Sequence, residues 1–283
     1  MLRIAIQSKG RLHDDTMSLL RESDIKVSES KRTLLVRARN FPVETLFLRD
    51  DDIPATVADG VADVGVVGLN ELEEKGLDVE IVRHLGFGAC RLSLALPKDE
   101  QYTGPKWFEN KTIATSYPSI LRRWLDAQGI HAIIHVISGS VEISTGVGLA
   151  DAIFDIVSSG STLVNNNLRE VETIMQSDAV LIAHRNLDDD KRAILDEMLF
   201  RFDAIQSAET KKYVLLNAPQ DKVQEITALL PGVKSPTVMP LAETGWCSIH
   251  TVIDEDRFWE IIGKLKAAGA QGILVMDIEK LII

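Results

Sequence analysis

The strongest constraint on the fold of this chain is an apolar segment that ends in a run of small hydroxyl residues. Residues 151–163 read DAIFDIVSSGSTL, and their first half has the composition of a buried strand. Asp155 interrupts that apolar run, and a buried carboxylate is costly unless it has a partner or a function. The hydroxyl run predicts a turn, and we expect a helix over 165–172. This order predicts an α/β fold with a binding site at the strand end.

The turn has the composition of a sugar-phosphate site. Gly160 lacks a Cβ, so its backbone can approach a phosphate closely, and Asp155 can accept hydrogen bonds from two vicinal ribose hydroxyls. The candidate phosphate ligands are Ser158, Ser159, Gly160, Ser161 and Thr162. A run of this kind, taken alone, is more often an ordinary strand-to-helix turn. The acid within the apolar strand favours the phosphoribosyl interpretation.

Alternating strand and helix patterns continue along residues 1–207. Strand patterns occur at 2–6, 63–68, 91–96, 112–116, 132–137 and 179–183, and helix patterns at 12–23, 69–75 and 119–128. Such alternation predicts mostly parallel sheets whose ligands bind beyond the carboxyl ends of the strands. We expect two lobes around a cleft, lobe I from 1–95 with 180–207 and lobe II from 96–179.

Residues 208–283 follow a different pattern. Strands are expected at 212–217, 237–240, 246–252 and 272–276, with one helix that stops at Pro231 and Gly232 and a second that ends at Gly269. The order βαββαβ predicts a ferredoxin-like domain. It carries no catalytic pattern, which favours a role in assembly or effector binding.

Composition excludes several classes of protein. The net charge of −11 argues against general nucleic-acid binding, although a local cluster of cations can still bind phosphate. No apolar run reaches the ~20 residues that a membrane helix needs, and the N-terminus lacks a secretory pattern. Two distant cysteines fit neither a disulfide scaffold nor a cysteine zinc site. We therefore expect a cytoplasmic protein with no membrane or nucleic-acid partner.

Cations follow two other predicted strands. Lys9, Gly10 and Arg11 come after the first strand, where they fit either an anion site or a solvated turn. Arg49 precedes the acidic run 50–52, which is either an exposed loop or part of a site for Mg²⁺, a metal that needs few protein ligands. Tyr117 ends a strand and is a candidate for contact with adenine, or else a core residue.

Longer blocks of the chain resemble one enzyme family. The segment 142–163, EISTGVGLADAIFDIVSSGSTL, resembles the signature of ATP phosphoribosyltransferase, an enzyme of histidine biosynthesis. Blocks at 7–12, 49–54, 90–95 and 113–118 resemble further family blocks in the same order. The segment after residue 208 is similar to the regulatory domain of the long form, so the resemblance covers nearly the whole chain.

The resemblance implies a reaction and a set of roles. The enzyme would transfer phosphoribosyl from 5-phosphoribosyl 1-diphosphate to N1 of ATP adenine, release pyrophosphate and use Mg²⁺. The implied catalytic residues are Glu142, Asp155, Lys9 and Arg49, and those for nucleotide or pyrophosphate are Lys9, Gly10, Arg11, Arg49 and Tyr117. Histidine would inhibit through Asn217, Ser235 and Thr237. The metal ligands and any general base stay unassigned.

The resemblance also implies architecture and assembly. It predicts two catalytic lobes like those of periplasmic binding proteins, and a homo-oligomer, either a dimer or a hexamer. The short form needs a partner protein, and the additional C-terminal domain predicts that this chain does not. Two alternatives stay open: a solute-binding or effector-sensing module without chemistry, and a base-salvage phosphoribosyltransferase. The long signature disfavours the first, and the two-lobe layout disfavours the second.

Overall fold

The computed structural model describes residues 1–28, 33–230 and 232–283. The strands are β1 (Leu2–Gln7), β2 (Leu35–Arg37), β3 (Val43–Leu48), β4 (Val64–Gly68), β5 (Glu80–His84), β6 (Cys90–Pro97), β7 (Thr112–Thr115), β8 (Ile133–Val136), β9 (Ala152–Val157), β10 (Leu168–Ser177), β11 (Ala179–Ala183), β12 (Lys211–Pro219), β13 (Thr237–Pro240), β14 (Trp246–Asp254) and β15 (Gln271–Asp277). The helices are α1 (Arg11–Glu22), α2 (Ile53–Ala58), α3 (Leu69–Lys75), α4 (Pro118–Gln128), α5 (Ser161–Asn165), α6 (Asp189–Glu209), α7 (Val223–Leu229) and α8 (Glu255–Ala267).

The chain divides into two compact units. The first contains Met1–Arg21 and Ile25–Ile194, and the second contains Glu22–Asp24 and Leu195–Ile283. Pro231, which was expected to end a helix, lies outside the described residues, and α7 ends before it, at Leu229. None of the helices in the described ranges is long and apolar enough to span a membrane.

The first unit contains two sheets, each with a parallel centre. One has the order β2-β3-β1-β4-β11-β5 and the other β10-β6-β9-β7-β8. Across the described residues, pairing is parallel at β3-β1-β4 and at β9-β7-β8, and antiparallel at the other neighbours. The expectation of mostly parallel sheets is therefore wrong, because β2, β6, β10 and β11 all make antiparallel pairs.

Strand pairing divides the chain differently from the expected boundary at residue 95. Strand β6 (Cys90–Pro97) pairs with β9 and β10 and so belongs to the second sheet. Strand β11 (Ala179–Ala183) pairs with β4 and β5 and returns the chain to the first sheet. Hydrogen-bonding partners decide membership of a sheet, and these partners are remote in sequence. The chain therefore passes between the sheets twice, before β6 and after β10.

The helix expected over 165–172 is not formed. Helix α5 starts earlier, at Ser161, and ends at Asn165, whereas Leu168–Ser177 is strand β10. Strand β10 pairs with β6 from Leu168↔Pro97 to Ser177↔Cys90. Its residues Val171, Thr173 and Ile174 are β-branched, which suits a pleated surface. The available partner strand thus overrides the weak helical pattern.

Each sheet of the first unit has its own apolar core. Around the first sheet, α2 packs Ile53 and Val57 against Ala5, Val67 and neighbouring strand residues. Around the second sheet, α4 contributes the buried side chains Ile120, Leu121 and Leu125. Helix α4 begins at Pro118, where a missing N–H is tolerated, and Gly129 ends it in the left-handed conformation with φ 62°. These helices hold the strand ends that carry the candidate site.

The second unit has the predicted βαββαβ order. Its strands are arranged β13-β14-β12-β15 with antiparallel pairing between neighbours, which is the ferredoxin-like arrangement. Helices α7 and α8 pack Ile226, Phe258 and Leu265 against one face of the sheet. On β12, Val214 and Leu216 point toward the helices, so the alternate residues of that strand lie on the opposite face.

A carboxylate from α3 caps helix α4 across the two sheets of the first unit. Glu74 accepts hydrogen bonds from the backbone N–H groups of Ser119 at 2.8 Å and Ile120 at 2.9 Å. Helix α4 has no capping bond from its own N-cap side chain, that of Tyr117. Unpaired N–H groups at a helix start are stabilised by such an anion. Glu74 therefore helps to set the relative position of the two lobes.

Replacing Glu74 by alanine is expected to lower the free energy of unfolding by about 1 kcal/mol, the usual value of an N-terminal cap. The matched control is Glu73→Ala, because Glu73 contacts the exposed Arg123 at 3.4 Å, and exposed ion pairs contribute little. Thermal denaturation of the two variants measures the difference. Equal melting temperatures would show that the cross-lobe cap contributes no stability.

Candidate functional site

The 158–162 loop follows β9 directly and leads into α5. Gly160 has φ 78° and ψ −1°, a left-handed conformation that glycine adopts without strain. The hydroxyls of Ser159 and Ser161 lie 2.9 Å apart, within hydrogen-bond distance of each other. Within the described residues, the N–H groups of Ser159 and Gly160 have no hydrogen-bond partner on the protein. The loop therefore offers both hydroxyl and backbone donors to an anion.

Asp155 lies on β9, three residues before that loop. Its Oδ1 accepts the N–H of Ile156 at 2.8 Å. Burial raises the pKa of Asp155 to about 6; the hydrogen bond from Ile156 opposes this change, and the negative charge of Glu142 adds to it. The ionised form of a carboxylate in this environment is stabilised by a ligand that donates hydrogen bonds or carries positive charge. Such perturbed groups in clefts are candidate functional residues.

Glu142 approaches Asp155 from a single helical turn, Val141–Ile143. Ser140, just before this turn, has a left-handed backbone with φ 53°, which redirects the chain. Val141 is buried in a small cluster that includes Ile153 of β9, so the turn is fixed against the strand that carries Asp155. The structure thus brings together two of the predicted catalytic residues, 142 and 155.

Tyr117 is buried, with 6% of its surface exposed, and its ring packs in the core of the second sheet. Its hydroxyl donates to Glu71 Oε1 at 2.8 Å and accepts from Asn70 Nδ2 at 3.1 Å. Burial and the adjacent Glu71 carboxylate raise the pKa of Tyr117. Asp155 also lies close enough to raise it further. Tyr117 therefore borders the Asp155 region, with its ring covered by protein.

Sequence reasoning missed the network that holds Tyr117. Asn70 is buried, donates its backbone N–H to Ser177 Oγ at 3.0 Å and accepts from the same hydroxyl through Oδ1 at 2.9 Å. Burial raises the pKa of Glu71, and the charges of Asp50 and Asp51 act in the same direction. The polar Asn70, two residues after an apolar strand, was the available sequence signal. Its two remote partners, Tyr117 and Ser177, come from the other lobe and have no local signature.

The remaining predicted cations lie at the carboxyl ends of parallel strands in the first sheet. Strands β1 and β3 are in register at Gln7↔Leu48, so Lys9 and Arg49 follow neighbouring strand ends. Both side chains are exposed, as is Arg11. Gly10 has φ 98°, a backbone conformation that favours glycine, and it allows the turn between Lys9 and Arg11.

Arg11 lies near the second sheet. Burial raises the pKa of the Cys90 thiol in β6, and the charge of Arg11 is close enough to oppose this effect. No direct contact joins Asp155 to Lys9, Arg11 or Arg49 within the described ranges. Among the described residues, the three cations therefore make no hydrogen bond or ion pair with the Asp155 carboxylate.

The proposed effector residues Asn217 and Thr237 lie on one face of the ferredoxin-like sheet. Asn217 is opposite Ser248, and Thr237 is opposite His250, so the four side chains share the face away from α7 and α8. Ser235 lies in the exposed segment just before β13.

His250 sits at the centre of a polar network on that face. Its ring nitrogens are 2.8 Å from Tyr213 Oη and 3.0 Å from Ser248 Oγ. The pairing of β12 with β15 shifts register between Leu215 and Asn217, which marks a bulge beside Asn217. Bulges often re-aim side chains near binding sites. Sequence reasoning did not select His250 or Tyr213.

No set of three or more His, Cys, Asp or Glu side chains in the described part of the chain is arranged to hold a metal ion. Glu142 and Asp155 are nevertheless close enough to interact electrostatically. Mg²⁺ commonly takes one or two carboxylates and completes its shell with water and substrate phosphates. The carboxylates of Glu142 and Asp155 therefore fit an Mg²⁺ ion that is also bound by water and substrate. They do not fit a site in which the protein supplies every ligand.

Comparison with known proteins gives the family. A model described as ATP phosphoribosyltransferase matches residues 49–204, and one described as HisG, C-terminal domain, matches 208–280. The chain belongs to the ATP phosphoribosyltransferase family. It is 66% identical over 283 residues to the ATP phosphoribosyltransferase of Bacteroides thetaiotaomicron and 55% identical over 282 residues to that of Cytophaga hutchinsonii. The first alignment covers 100% of both chains, and the second covers 100% of this chain and 99% of the relative.

Solved structures agree with this family. An ATP phosphoribosyl transferase (HisG:HisZ) complex from Thermotoga maritima matches with a TM-score of 0.63 and 28% identity, over 72% of this chain and 96% of that chain. Tv2483 bound to L-arginine matches with a TM-score of 0.52 and 14% identity, over 74% and 86% of the two chains, which shows a shared fold alone. The predicted two-lobed α/β fold with a ferredoxin-like C-terminal domain is confirmed. The protein is a phosphoribosyl-transferring enzyme of histidine biosynthesis.

Proposed function

We propose that 5-phosphoribosyl 1-diphosphate binds with its ribose at Asp155 and its 5′-phosphate on the 158–162 loop. The observation that carries this assignment is the half-buried Asp155 carboxylate, three residues before a loop with unpaired backbone donors. A carboxylate can accept hydrogen bonds from both vicinal ribose hydroxyls, while hydroxyls and N–H groups bind phosphate. One strand end thus places both parts of the substrate in a fixed relation.

The reaction transfers the C1 carbon of the ribose from pyrophosphate oxygen to N1 of adenine. As the bond to pyrophosphate breaks, positive charge develops on the sugar ring. The carboxylates of Glu142 and Asp155 stabilise that charge. Lys9, Arg11 and Arg49 bind the negative pyrophosphate or triphosphate at the ends of β1 and β3. Holding adenine N1 in line with C1 supplies the rest of the rate enhancement.

Glu142 and Asp155 are the residues that would hold Mg²⁺ when 5-phosphoribosyl 1-diphosphate is bound. The carboxylates at 142 and 155 would hold it with substrate oxygens, and the ion would neutralise charge on the leaving group. Tyr117 serves the nucleotide indirectly, because its covered ring joins α3 to α4 beside Asp155. Its hydroxyl fixes the position of the wall at which adenine binds.

The C-terminal domain binds histidine and inhibits the enzyme. This proposal rests on the polar network of Asn217, Thr237 and His250 on the sheet face opposite the helices. Because the chain carries this domain, it acts without the partner named in the Thermotoga maritima complex. Like its family, it forms a homo-oligomer, a dimer or a hexamer. It works in the cytoplasm.

Mass spectrometry tests the proposal directly. Purified protein incubated with ATP, 5-phosphoribosyl 1-diphosphate and Mg²⁺ is expected to form phosphoribosyl-ATP, and the amount should fall when histidine is added. Product formation unaffected by histidine would contradict the effector assignment alone. Absence of product from folded, substrate-binding protein would contradict independence from a partner or the assignment of the catalytic site.

A further inference from the structure

Arg91 of β6 joins the 158–162 loop to strand β10. Its Nε and Nη2 each donate to the carboxylate of Glu170, at 2.6 Å in both cases. Its remaining nitrogen, Nη1, donates to the backbone carbonyl of Ser158 at 3.1 Å. A two-point arginine–carboxylate pair fixes the plane of the guanidinium. The direction of the third bond, to the loop, is therefore set by Glu170.

Glu170 is itself held from several sides. Its Oε1 accepts from Ser93 Oγ at 2.7 Å and from Thr173 Oγ1 at 3.1 Å. The hydrogen bond from Arg91 is the main cause of a pKa lowered to about 2 for Glu170, so this carboxylate stays ionised at neutral pH. Both members of the pair are partly shielded, with side chains 30% and 26% exposed. The arrangement is more rigid than an ordinary surface ion pair.

The bond to the Ser158 carbonyl determines how the loop presents its donors. In a trans peptide the carbonyl and the following N–H point in opposite directions. Peptide bonds in the described residues are trans, so fixing the Ser158 carbonyl toward Arg91 turns the Ser159 N–H to the other side. That N–H has no protein partner among the described residues. The contact also turns a partially negative carbonyl oxygen away from a bound anion.

Arg91 also lies at the border of two clefts. One, of ≈ 580 Å³, is lined by the loop residues 159–161 together with Lys98 and Arg169. The other, of ≈ 550 Å³, is lined by Ser158, Cys90 and Asp178. Arg91 lines both clefts. Arg91 therefore borders both clefts while its guanidinium contacts the loop at Ser158.

We propose that Arg91 and Glu170 are positioning residues that orient the 158–162 loop for the 5′-phosphate of 5-phosphoribosyl 1-diphosphate. This inference rests on the assignment of the loop as the phosphate site. Arg91 acts through the Ser158 peptide and does not contact the reacting atoms. Its removal consequently affects the binding of one substrate and spares the other.

Steady-state kinetics of full-length Arg91→Lys and Glu170→Gln test the pair. Lysine keeps the charge but cannot make three directed bonds in one plane. We expect KM for 5-phosphoribosyl 1-diphosphate to rise about 10-fold in each variant, with KM for ATP changed less than about twofold. The double variant should resemble the worse single variant, because both changes remove the same interaction. The control is Tyr102→Phe, which removes a hydrogen bond to Glu172 on the same strand, away from the loop.

A loop variant, Thr162→Val, separates failure of this inference from failure of the site assignment. A higher KM for 5-phosphoribosyl 1-diphosphate in Thr162→Val and in both pair variants supports the proposal. If Thr162→Val raises this KM while Arg91→Lys and Glu170→Gln behave like Tyr102→Phe, the positioning role is overturned. The assignment of the loop as the phosphate site is then retained. If no variant changes that KM, both are overturned. An equal rise in both KM values would indicate a general structural defect and also overturn the proposal. Should Arg91→Lys fail to fold, Glu170→Gln carries the same comparison.

Discussion

Replacing Asp155 by asparagine is expected to lower kcat/KM about 10²- to 10³-fold. In the proposed complex the carboxylate accepts two ribose hydroxyls, and a hydrogen bond to a charged acceptor contributes roughly 1.5–3 kcal/mol. Asparagine keeps the shape and can still accept the Ile156 N–H through Oδ1, but it loses the charge that stabilises the developing cation. Steady-state assays of phosphoribosyl-ATP formation measure the loss.

The matched control is Asp151→Asn, four residues earlier on the same segment. Asp151 accepts the Thr112 N–H at 2.8 Å and has a half-exposed side chain, remote from the loop. Its variant should keep activity within about twofold of the starting enzyme. Near-normal turnover in Asp155→Asn, or an equal loss in Asp151→Asn, would remove Asp155 from the mechanism.

The same Asp155 substitution is expected to stabilise the ligand-free protein at alkaline pH. Burial raises the pKa of Asp155 from 3.8 to about 6, so the folded state binds this proton more tightly than the unfolded chain does. The contribution of Asp155 to stability therefore falls as pH rises from about 4 to 6, and the ionised group costs on the order of 3 kcal/mol above that range. Asparagine avoids this cost. Its melting temperature should exceed that of the starting protein at pH 8, with the difference vanishing near pH 4. A lower melting temperature of the variant at pH 8 would show that other interactions in the folded protein offset the cost of burying this carboxylate.

Replacing Asn217 by alanine is expected to raise the histidine concentration for half-inhibition about 10- to 100-fold. Asn217 lies beside a bulge and opposite Ser248, within reach of the His250 network, and its amide can bind either charged group of an amino acid. Loss of one hydrogen bond to a charged group costs roughly 1.5–3 kcal/mol. Activity without histidine should not change, because the substitution lies in the second compact unit.

Gln224→Ala provides the control for that experiment. Gln224 is exposed on α7, the helix that covers the other face of the sheet. Its variant should retain normal inhibition. A second readout follows because coupling between two binding sites is reciprocal. 5-Phosphoribosyl 1-diphosphate should therefore change the affinity of the starting protein for histidine. Calorimetry measures this change directly. Unchanged inhibition in Asn217→Ala would place the histidine site elsewhere in the protein.

Much of the fold could be read from local patterns. The apolar strand that contains Asp155, the glycine in the turn after it and the βαββαβ order of residues 208–283 each depend on neighbours in sequence. A strand alternates with a period of two and a helix with a period near 3.6, and Gly160 marks a left-handed position. The family signature is also a local pattern. It predicted Glu142 and Asp155 as catalytic residues, and in the structure the charge of Glu142 is close enough to raise the pKa of Asp155.

Pairing between remote segments decided what local patterns could not. Residues 165–172 have only weak secondary-structure preferences. The residues from Leu168 onward form strand β10 because they pair with the edge of β6. The same pairing assigned β6 to the second sheet.

The two connections that support the site also span long stretches of chain. Arg91 meets Glu170 across 79 residues, and Asn70 meets Ser177 across 107 residues. The sequence alone determined the strand, its acid, the loop and the family. Tertiary structure decided which side chains hold that loop and join the lobes, because buried polar groups take whatever partner the fold brings within hydrogen-bond distance.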